Sequence, residues 1–234
     1  MRFRVLLAAV LLCGARPVFA QTASGPVDGV FWPELDLYYQ VATRLRLFGI
    51  ATYTFGSDPL VDNAQYGVNL DFFAKHITIF KHRPAVDALA FDRTQPIVLR
   101  MGYRYATDLG TSDPSRQNRV IFEATGRINR GVFTLADRNG FDLRWTDGDY
   151  STRYRNRVWV EAVVSLGGYK PVPYADAEWF YSIQNAEWTK VRYETGVHFP
   201  VADLFAIEPY IALEDYWDGA PDQRGLGLNL VLSW

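Results

Sequence analysis

Apolar and polar residues alternate with a period of two along most of the chain, most clearly over its last eleven residues. One face of that extended segment carries Leu226, Leu228, Leu230, Leu232 and Trp234, and small or polar residues occupy the other face. A strand of about 9 to 11 residues with this pattern is the unit of a transmembrane β-barrel. The terminal aromatic, Trp234, is the kind of residue that the outer-membrane barrel assembly machinery reads. A soluble sandwich or lipocalin-like barrel remains the alternative for this segment alone.

The same alternation predicts ten further strands. With the last one, the predicted strands are Glu34–Val41, Arg44–Phe55, Asn63–Phe73, Val98–Ala106, Arg119–Ile128, Phe133–Trp145, Arg153–Leu166, Val172–Tyr181, Lys190–Phe199, Phe205–Tyr216 and Arg224–Trp234. Bacterial single-chain barrels have an even number of strands. We therefore predict an all-β fold, a single antiparallel transmembrane β-barrel of 12 strands, with a short hidden strand at Lys75–Lys81. The alternative is 10 strands.

Two residues interrupt the pattern of the sixth predicted strand. Asp137 and Asn139 fall on its apolar face, together with Phe141, Leu143 and Trp145. A β-bulge would shift the register, and an interfacial position would expose both side chains to water. Either feature would explain the two polar residues.

The N-terminus has the features of a secretory signal peptide. Arg2 and Arg4 precede a short apolar run, and Val18-Phe19-Ala20 places small or modest residues at the positions that signal peptidase reads. The apolar run is shorter than the ~20 residues that a transmembrane helix needs. We predict a cleaved signal peptide at residues 1–20, an N-terminal periplasmic segment at 21–33 and an outer-membrane β-barrel at 34–234.

Processing changes the cysteine content and the charge. The chain has 1 cysteine, Cys13, so the mature protein would have neither disulfides nor thiolate chemistry. The signal peptide contains three of the 24 basic residues, which leaves 24 − 3 = 21 against 26 acidic residues and a net charge of 21 − 26 = −5. This balance argues against nucleic acid as a partner.

Aromatic residues support the membrane interpretation. They make up 15% of the chain. Several stand near predicted strand ends, where the interfacial girdles of a membrane barrel lie: Trp32, Trp145, Trp179, Tyr181, Trp217 and Trp234. We therefore predict a location in the cell outer membrane, with outer-membrane lipids and lipopolysaccharide as partners.

Charged residues share the face opposite the apolar one, and we predict that they line the lumen, the interior of the barrel. They are Arg100, Arg104, Glu123, Arg127, Asp142, Arg144, Arg153, Arg155, Arg157, Glu161, Asp176, Glu178, Arg192, Glu194, Glu208 and Glu214. A barrel of 10 or 12 strands is only a little wider than its side chains. Two interpretations stay open: a salt-bridged lumen that replaces a hydrophobic core, or a narrow channel in which an arginine row faces carboxylates and passes small polar solutes.

Enzymatic activity has little support in the sequence. An outer-membrane lipid hydrolase needs a hydroxyl within hydrogen-bond reach of an imidazole. His198 lies between Gly196 and Pro200 on its face, and only His76 has a hydroxyl residue, Thr78, two positions away. Three scattered histidines give no metal-ligand spacing. We expect no enzyme activity, no cofactor and no metal, with an outer-membrane lipid-modifying hydrolase as the alternative function.

Several short motifs resemble one family when they are taken in order. They are Gly102-Tyr103-Arg104-Tyr105, Arg153-Tyr154-Arg155-Asn156-Arg157, Pro173-Tyr174 followed by Glu178-Trp179-Phe180-Tyr181, and Arg192-Tyr193-Glu194-Thr195-Gly196-Val197. Together they resemble the uncharacterised outer-membrane barrels grouped as domain of unknown function 2490, over most of the mature chain. The chain departs from that pattern between His82 and Pro96 and at Asn139–Phe141. The resemblance implies an outer-membrane barrel and leaves its activity open.

Overall fold

The strands of this protein close into a single barrel. The computed structural model describes residues 27–56, 62–74, 93, 95–109, 112–202 and 204–234. These residues form eleven strands: β1 (Val27–Ala42), β2 (Leu45–Thr54), β3 (Asn63–Phe73), β4 (Ile97–Asp108), β5 (Arg116–Arg130), β6 (Phe133–Thr146), β7 (Asp149–Ala162), β8 (Val172–Ser182), β9 (Glu187–Ala202), β10 (Phe205–Tyr216) and β11 (Gln223–Ser233).

Each strand pairs antiparallel with the next, and β1 closes the barrel by pairing in parallel with β11. The parallel ladder runs from Val27 opposite Gln223 to Tyr38 opposite Ser233. An even strand count is required only when the first and last strands are antiparallel. The predictions of 12 and of 10 strands are therefore wrong, because the described strands number eleven and close through a parallel pair.

The predicted hidden strand, Lys75–Lys81, lies outside the described residues. The strands on either side of it, β3 and β4, pair directly with each other from Asn63 opposite Asp108 to Phe73 opposite Val98. The closed order of the described strands thus leaves no position between β3 and β4 for another strand.

Most strand boundaries agree with the alternation, and the differences are at strand ends. β3 and β10 have the predicted bounds. β1 begins at Val27, seven positions before the predicted start at Glu34, so the barrel includes residues 27–33 of the predicted N-terminal periplasmic segment. β7 ends at Ala162, because the apolar residues that follow it belong to a connection.

The two ends of the barrel differ in their connections. The C-terminal end carries Trp234 and the connections at 43–44, 74–96, 131–132, 163–171 and 203–204. The opposite end carries those at 55–62, 109–115, 147–148, 183–186 and 217–222. The 147–148 turn is an Asp-Gly pair with φ of 52° and 100°. Two successive positive φ angles define the tight hairpin turn that matches strand twist, and Asp-Gly adopts it readily.

The barrel is apolar outside and charged inside. Its outer surface exposes large hydrophobic side chains such as Val68, Met101 and Leu226. Asp71 and Asp142 are 0% exposed in the interior. This polarity is the reverse of a soluble barrel. Within the described residues, no helix is long and apolar enough to cross a bilayer.

One aromatic residue has the opposite orientation from the one predicted. Trp32 is 4% exposed and packs inside the barrel against Val30, Tyr210 and Ala212. The prediction of an interfacial position for Trp32 is therefore wrong. The physical reason is the early start of β1, which places Trp32 on the same inward face as Glu34.

Asp137 and Asn139 do not lie at a bulge. The β5–β6 and β6–β7 ladders run without a register shift, so the bulge interpretation is wrong. Both side chains lie on the outer surface, midway along β6 between the exposed apolar residues Leu135 and Phe141. Asn156 of β7 donates to Asp137 Oδ1 at 2.6 Å. Asp137, Asn139 and Asn156 thus form a polar patch on the outer surface, joined by hydrogen bonds.

Candidate functional site

The lumen contains a cavity of about 460 Å³ with a mostly polar lining. The predicted lumen residues that line it are Arg100, Arg104, Arg127, Arg153, Arg155, Arg157, Glu161, Glu178, Arg192, Glu194, Glu208 and Glu214. Glu123, Asp142 and Asp176 are buried behind this lining, in ion pairs with arginines. Arg144 is partly buried near the end of β6 and does not border the cavity.

Arg155 of β7 is the centre of the buried charges. Its guanidinium donates to Glu123 at 2.6 Å, to Glu178 at 3.0 Å and to Asp142 at 3.1 Å. We call these four residues the Arg155 cluster. Gly140 on β6, directly opposite Arg155, has no side chain to fill the space, and a Cβ there would lie 3.1 Å from Glu123 Cγ. The glycine therefore leaves room for a carboxylate beneath the arginine.

Further arginines share the carboxylates of the Arg155 cluster. Arg153 donates to Asp142 at 2.7 Å, and Arg138 donates to Glu178 at 3.3 Å. Arg100 extends the network to β3, where Asp71 accepts from it at 2.6 Å. Each carboxylate of the Arg155 cluster thus has more than one guanidinium partner, which offsets the cost of burying its charge.

A second network occupies the wall formed by β7 to β10. Arg157 donates to Asp176 at 2.6 Å, and Glu194 accepts from Arg192 at 2.9 Å. Glu214 accepts from Lys190 at 2.8 Å. The Arg157–Asp176 and Lys190–Glu214 pairs join neighbouring strands, whereas Arg192 and Glu194 are two residues apart on the same face of β9. Two strongly paired networks therefore occupy much of the lumen.

Three carboxylates on β1 and β10 lack such partners. Glu34, Asp36 and Glu208, which we call the acidic wall, have no arginine or lysine nitrogen within 4.0 Å among the described residues. Thr52 donates to Glu34 at 2.8 Å, and Asn229 donates to Asp36 at 3.1 Å. The acidic wall is therefore held mainly by neutral groups, unlike the carboxylates of the two paired networks.

Three arginines on β4, β5 and β6 form the complement of the acidic wall. Arg104 is directly opposite Arg119, and Arg119 is directly opposite Arg144, so the three residues form one continuous row across the sheet. We call them the arginine row. None of the three has a carboxylate oxygen within 4.0 Å in the part of the chain that the structure describes. The row lies close to the end of the barrel opposite Trp234.

The C-terminal end of the lumen is narrowed by residues that precede β4. Arg93 donates to Glu161 at 2.6 Å, and Asn129 donates to the Arg93 carbonyl at 2.5 Å. Gln95 is 0% exposed. Sequence reasoning missed Arg93 and Gln95, because neither lies in an alternating segment.

The one described histidine lies inside the barrel beside a carboxylate. His198 is fully buried in the lumen, where its Nδ1 lies 3.2 Å from Glu208 Oε2. The other two histidines, His76 and His82, lie outside the described residues. Among the described side chains, no three His, Cys, Asp or Glu residues form a group that could hold a metal ion.

Asp147 ties two connections together at the end opposite Trp234. Its carboxylate accepts from Ser115 Oγ at 2.7 Å and from the Arg116 amide at 2.9 Å. The hydrogen bond from the Ser115 hydroxyl, followed by that from the Arg116 amide, lowers the pKa of the Asp147 carboxyl below its usual value. The β4–β5 connection is thereby fixed beside the β6–β7 turn.

Comparison of the chain with known protein families, with curated proteins and with solved structures found no match. The resemblance to the domain of unknown function 2490 therefore stays a prediction. The features that bear on function are the closed barrel and the charged side chains of its lumen.

Proposed function

We propose that this protein is an outer-membrane β-barrel with a charge-paired lumen, which acts as a structural barrel with a narrow passage for small polar solutes. The observation that carries the proposal is the reversed polarity of a closed barrel: apolar side chains cover the outside, and ionised side chains fill the inside. Lipid is the environment in which an apolar outer surface is stable.

Further features support a membrane location. The strands are 10 to 16 residues long, which is enough for tilted strands to cross a bilayer. Exposed aromatic side chains lie near both ends, with Trp145 and Trp217 at one end and Phe133 and Trp234 at the other. This is the arrangement expected of interfacial girdles. The proposed partners are outer-membrane lipids, lipopolysaccharide and the barrel assembly machinery.

The paired networks limit the passage. The Arg155 cluster and the second network place ionised side chains across a lumen whose cavity measures about 460 Å³. Only small solutes fit such a space, and the arginine row on one side and the carboxyl groups of the acidic wall on the other offer hydrogen bonds that would orient a polar solute. A wide, permanently open pore does not fit this lumen.

Cell fractionation and gel mobility test the location. The protein should fractionate with outer membranes and migrate faster on a gel unheated than boiled, because closed barrels resist unfolding by detergent. Recovery in the soluble periplasmic fraction, without a heat-modifiable band, would contradict the proposal.

Planar-bilayer recording tests the passage. The refolded protein should give a small conductance, since the networks occupy much of the lumen. A large, stable conductance would show a porin instead. Release of fatty acid from phospholipid or lipopolysaccharide by the purified protein would favour the alternative, a lipid-modifying hydrolase.

A further inference from the structure

The arginine row is unusual because it places like charges directly opposite one another. Neighbouring residues across an antiparallel ladder have Cα atoms about 4.5 to 5.5 Å apart. Arg104, Arg119 and Arg144 occupy consecutive positions of this kind on β4, β5 and β6. Like charges at such positions destabilise a sheet. Two other lumen arginines on these strands, Arg100 and Arg138, each pair with carboxylates.

Nearby carboxylates do not neutralise the row. Asp142 attracts Arg119 and Arg144 from beyond ion-pair distance, but it already pairs with Arg153 and Arg155. The Nε atoms of Arg104 and Arg144 are buried and have no hydrogen-bond partner among the described residues. The row therefore contains guanidinium donors that no described residue uses.

Neutral groups orient the row without cancelling its charge. Gln117 Oε1 accepts from Arg119 Nη2 at 2.6 Å and from Nε at 3.2 Å, and Gln65 Oε1 accepts from Nη1 at 3.1 Å. Opposite Arg104 stands Gly67, where a Cβ would lie 2.7 Å from Arg104 Cγ. The glycine thus gives the Arg104 side chain its space over β3. Arg104 and Arg119 both border the lumen cavity.

We propose that the arginine row binds a small multivalent oxyanion, of the phosphate type, at the mouth of the lumen opposite Trp234. Guanidinium groups present planar pairs of N–H donors that match two oxygens of a phosphate. Three adjacent positive charges favour a divalent anion over chloride or a monovalent carboxylate. This inference deepens the proposed passage by naming the class of solute that it accepts, and to that extent it rests on the proposed function.

Titration calorimetry with inorganic phosphate tests the site directly. The refolded full-length mature protein is titrated in detergent micelles, with ionic strength held constant by sodium chloride. The wild type should bind phosphate saturably and acetate at least 10-fold more weakly. Arg119→Gln, and separately Arg144→Gln, should weaken phosphate binding at least 10-fold. The matched control is Arg116→Gln, which removes the same charge from an exposed position near the same mouth and should leave binding unchanged within 2-fold.

A stability measurement separates a binding role from a structural one. Without phosphate, Arg119→Gln should raise the temperature at which the heat-modifiable band is lost, because it relieves repulsion within the row. Phosphate should raise that temperature for the wild type and leave it unchanged for Arg119→Gln. Absence of saturable phosphate binding by the wild type, equal binding by Arg119→Gln, or destabilisation of Arg119→Gln regardless of phosphate would overturn the inference.

Micelle binding also distinguishes the two proposals. It requires neither membrane location nor conductance. If phosphate binds and no conductance is seen, the passage fails and the anion site stands. If conductance is seen and phosphate does not bind, the anion site fails and the passage stands.

Discussion

Two groups of arginines in the same lumen have opposite environments. Arg155 contacts three carboxylates, whereas Arg119, two strands away, contacts two neutral amides. Both guanidinium groups face the cavity. The difference shows that lumen arginines are not one class: those at the centre hold the barrel together, and those at the mouth keep their charge available.

The acidic wall completes this contrast. Its carboxylates are held by Thr52, Asn229 and Tyr174 rather than by arginine or lysine. Arginines without a carboxylate partner on β4 to β6 thus lie across the lumen from carboxyl groups without an arginine or lysine partner on β1 and β10. This separation supports the proposed passage for polar solutes, because the two sets would be expected to pair with each other in a purely structural interior.

The largest expected effect is at the centre. Arg155→Ala removes the shared partner of three buried carboxylates, and it should lower the free energy of unfolding by about 3 to 5 kcal/mol. Glu178→Gln in the same chain should restore part of the loss, since one buried charge is then removed. Urea unfolding followed by tryptophan fluorescence measures both. Arg104→Ala is the control and should lower the free energy of unfolding far less, because no carboxylate loses an ion-pair partner. Equal losses for Arg155→Ala and Arg104→Ala would contradict the difference between the two groups of arginines.

A new arginine should be tolerated inside and not outside. Leu228→Arg places a charge on the outer surface and should cost about 2 to 4 kcal/mol if the barrel spans a bilayer. The adjacent residue, Asn229, is buried in the lumen between Glu34 and Glu208 on the neighbouring strands. Asn229→Arg should therefore lower the free energy of unfolding by less, because it places a positive charge within the acidic wall. The free energy of unfolding of both variants is measured in lipid vesicles. A larger loss for Asn229→Arg than for Leu228→Arg would contradict the assignment of outer and inner faces.

The arginine row can be converted into a paired site. Gln117→Glu would place a carboxylate where the amide oxygen now accepts two hydrogen bonds from Arg119. A charged hydrogen bond should raise the free energy of unfolding by about 1 to 2 kcal/mol. It should also weaken phosphate binding at least 10-fold, because the new carboxylate occupies the donors of Arg119 and removes one of the row's three net positive charges. A variant that binds phosphate as tightly as the wild type would argue against competition for the same donors.

The smallest expected effect is on the titration of Asp147, in the β6–β7 turn. Because the folded-state pKa of Asp147 lies below its unfolded value of about 3.9, its contribution to stability is present above that pH and is lost as pH falls through the folded pKa. A carbon-13 NMR titration should give an inflection below 3.9. Ser115→Ala should move it upward, and Ser112→Ala, in the same connection, should not. An unshifted inflection in Ser115→Ala would remove the hydroxyl as the cause.

The sequence predicts the strands and their faces better than it predicts the charge pairs. Period-two alternation is a local property, so β3 and β10 could be bounded from the sequence alone. The same rule, carried back from Glu34, would have placed Trp32 inside. The number of strands could not be predicted, because the parallel pairing of β1 with β11 is a contact between the two ends of the chain and leaves no local pattern in the sequence.

Register explains what could not be predicted at the site. That Arg104, Arg119 and Arg144 carry the inward parity is readable from the sequence, whereas their alignment in one row depends on the β4–β5 and β5–β6 ladders. Arg93 reaches Glu161 from a connection that has no alternation. Pairing between distant positions is thus set by the closed barrel as a whole.

Site-specific labelling tests the reversed polarity most directly. The mature chain is predicted to lack cysteine, so Leu230→Cys and Val231→Cys each introduce a single thiol on adjacent residues of β11, one facing out and one facing in. In protein refolded into lipid vesicles, a lipid-soluble maleimide should label Cys at position 230 and leave position 231 unlabelled. Labelling of position 230 by a membrane-impermeant, water-soluble maleimide would show that the apolar face meets water, and the membrane barrel would be contradicted.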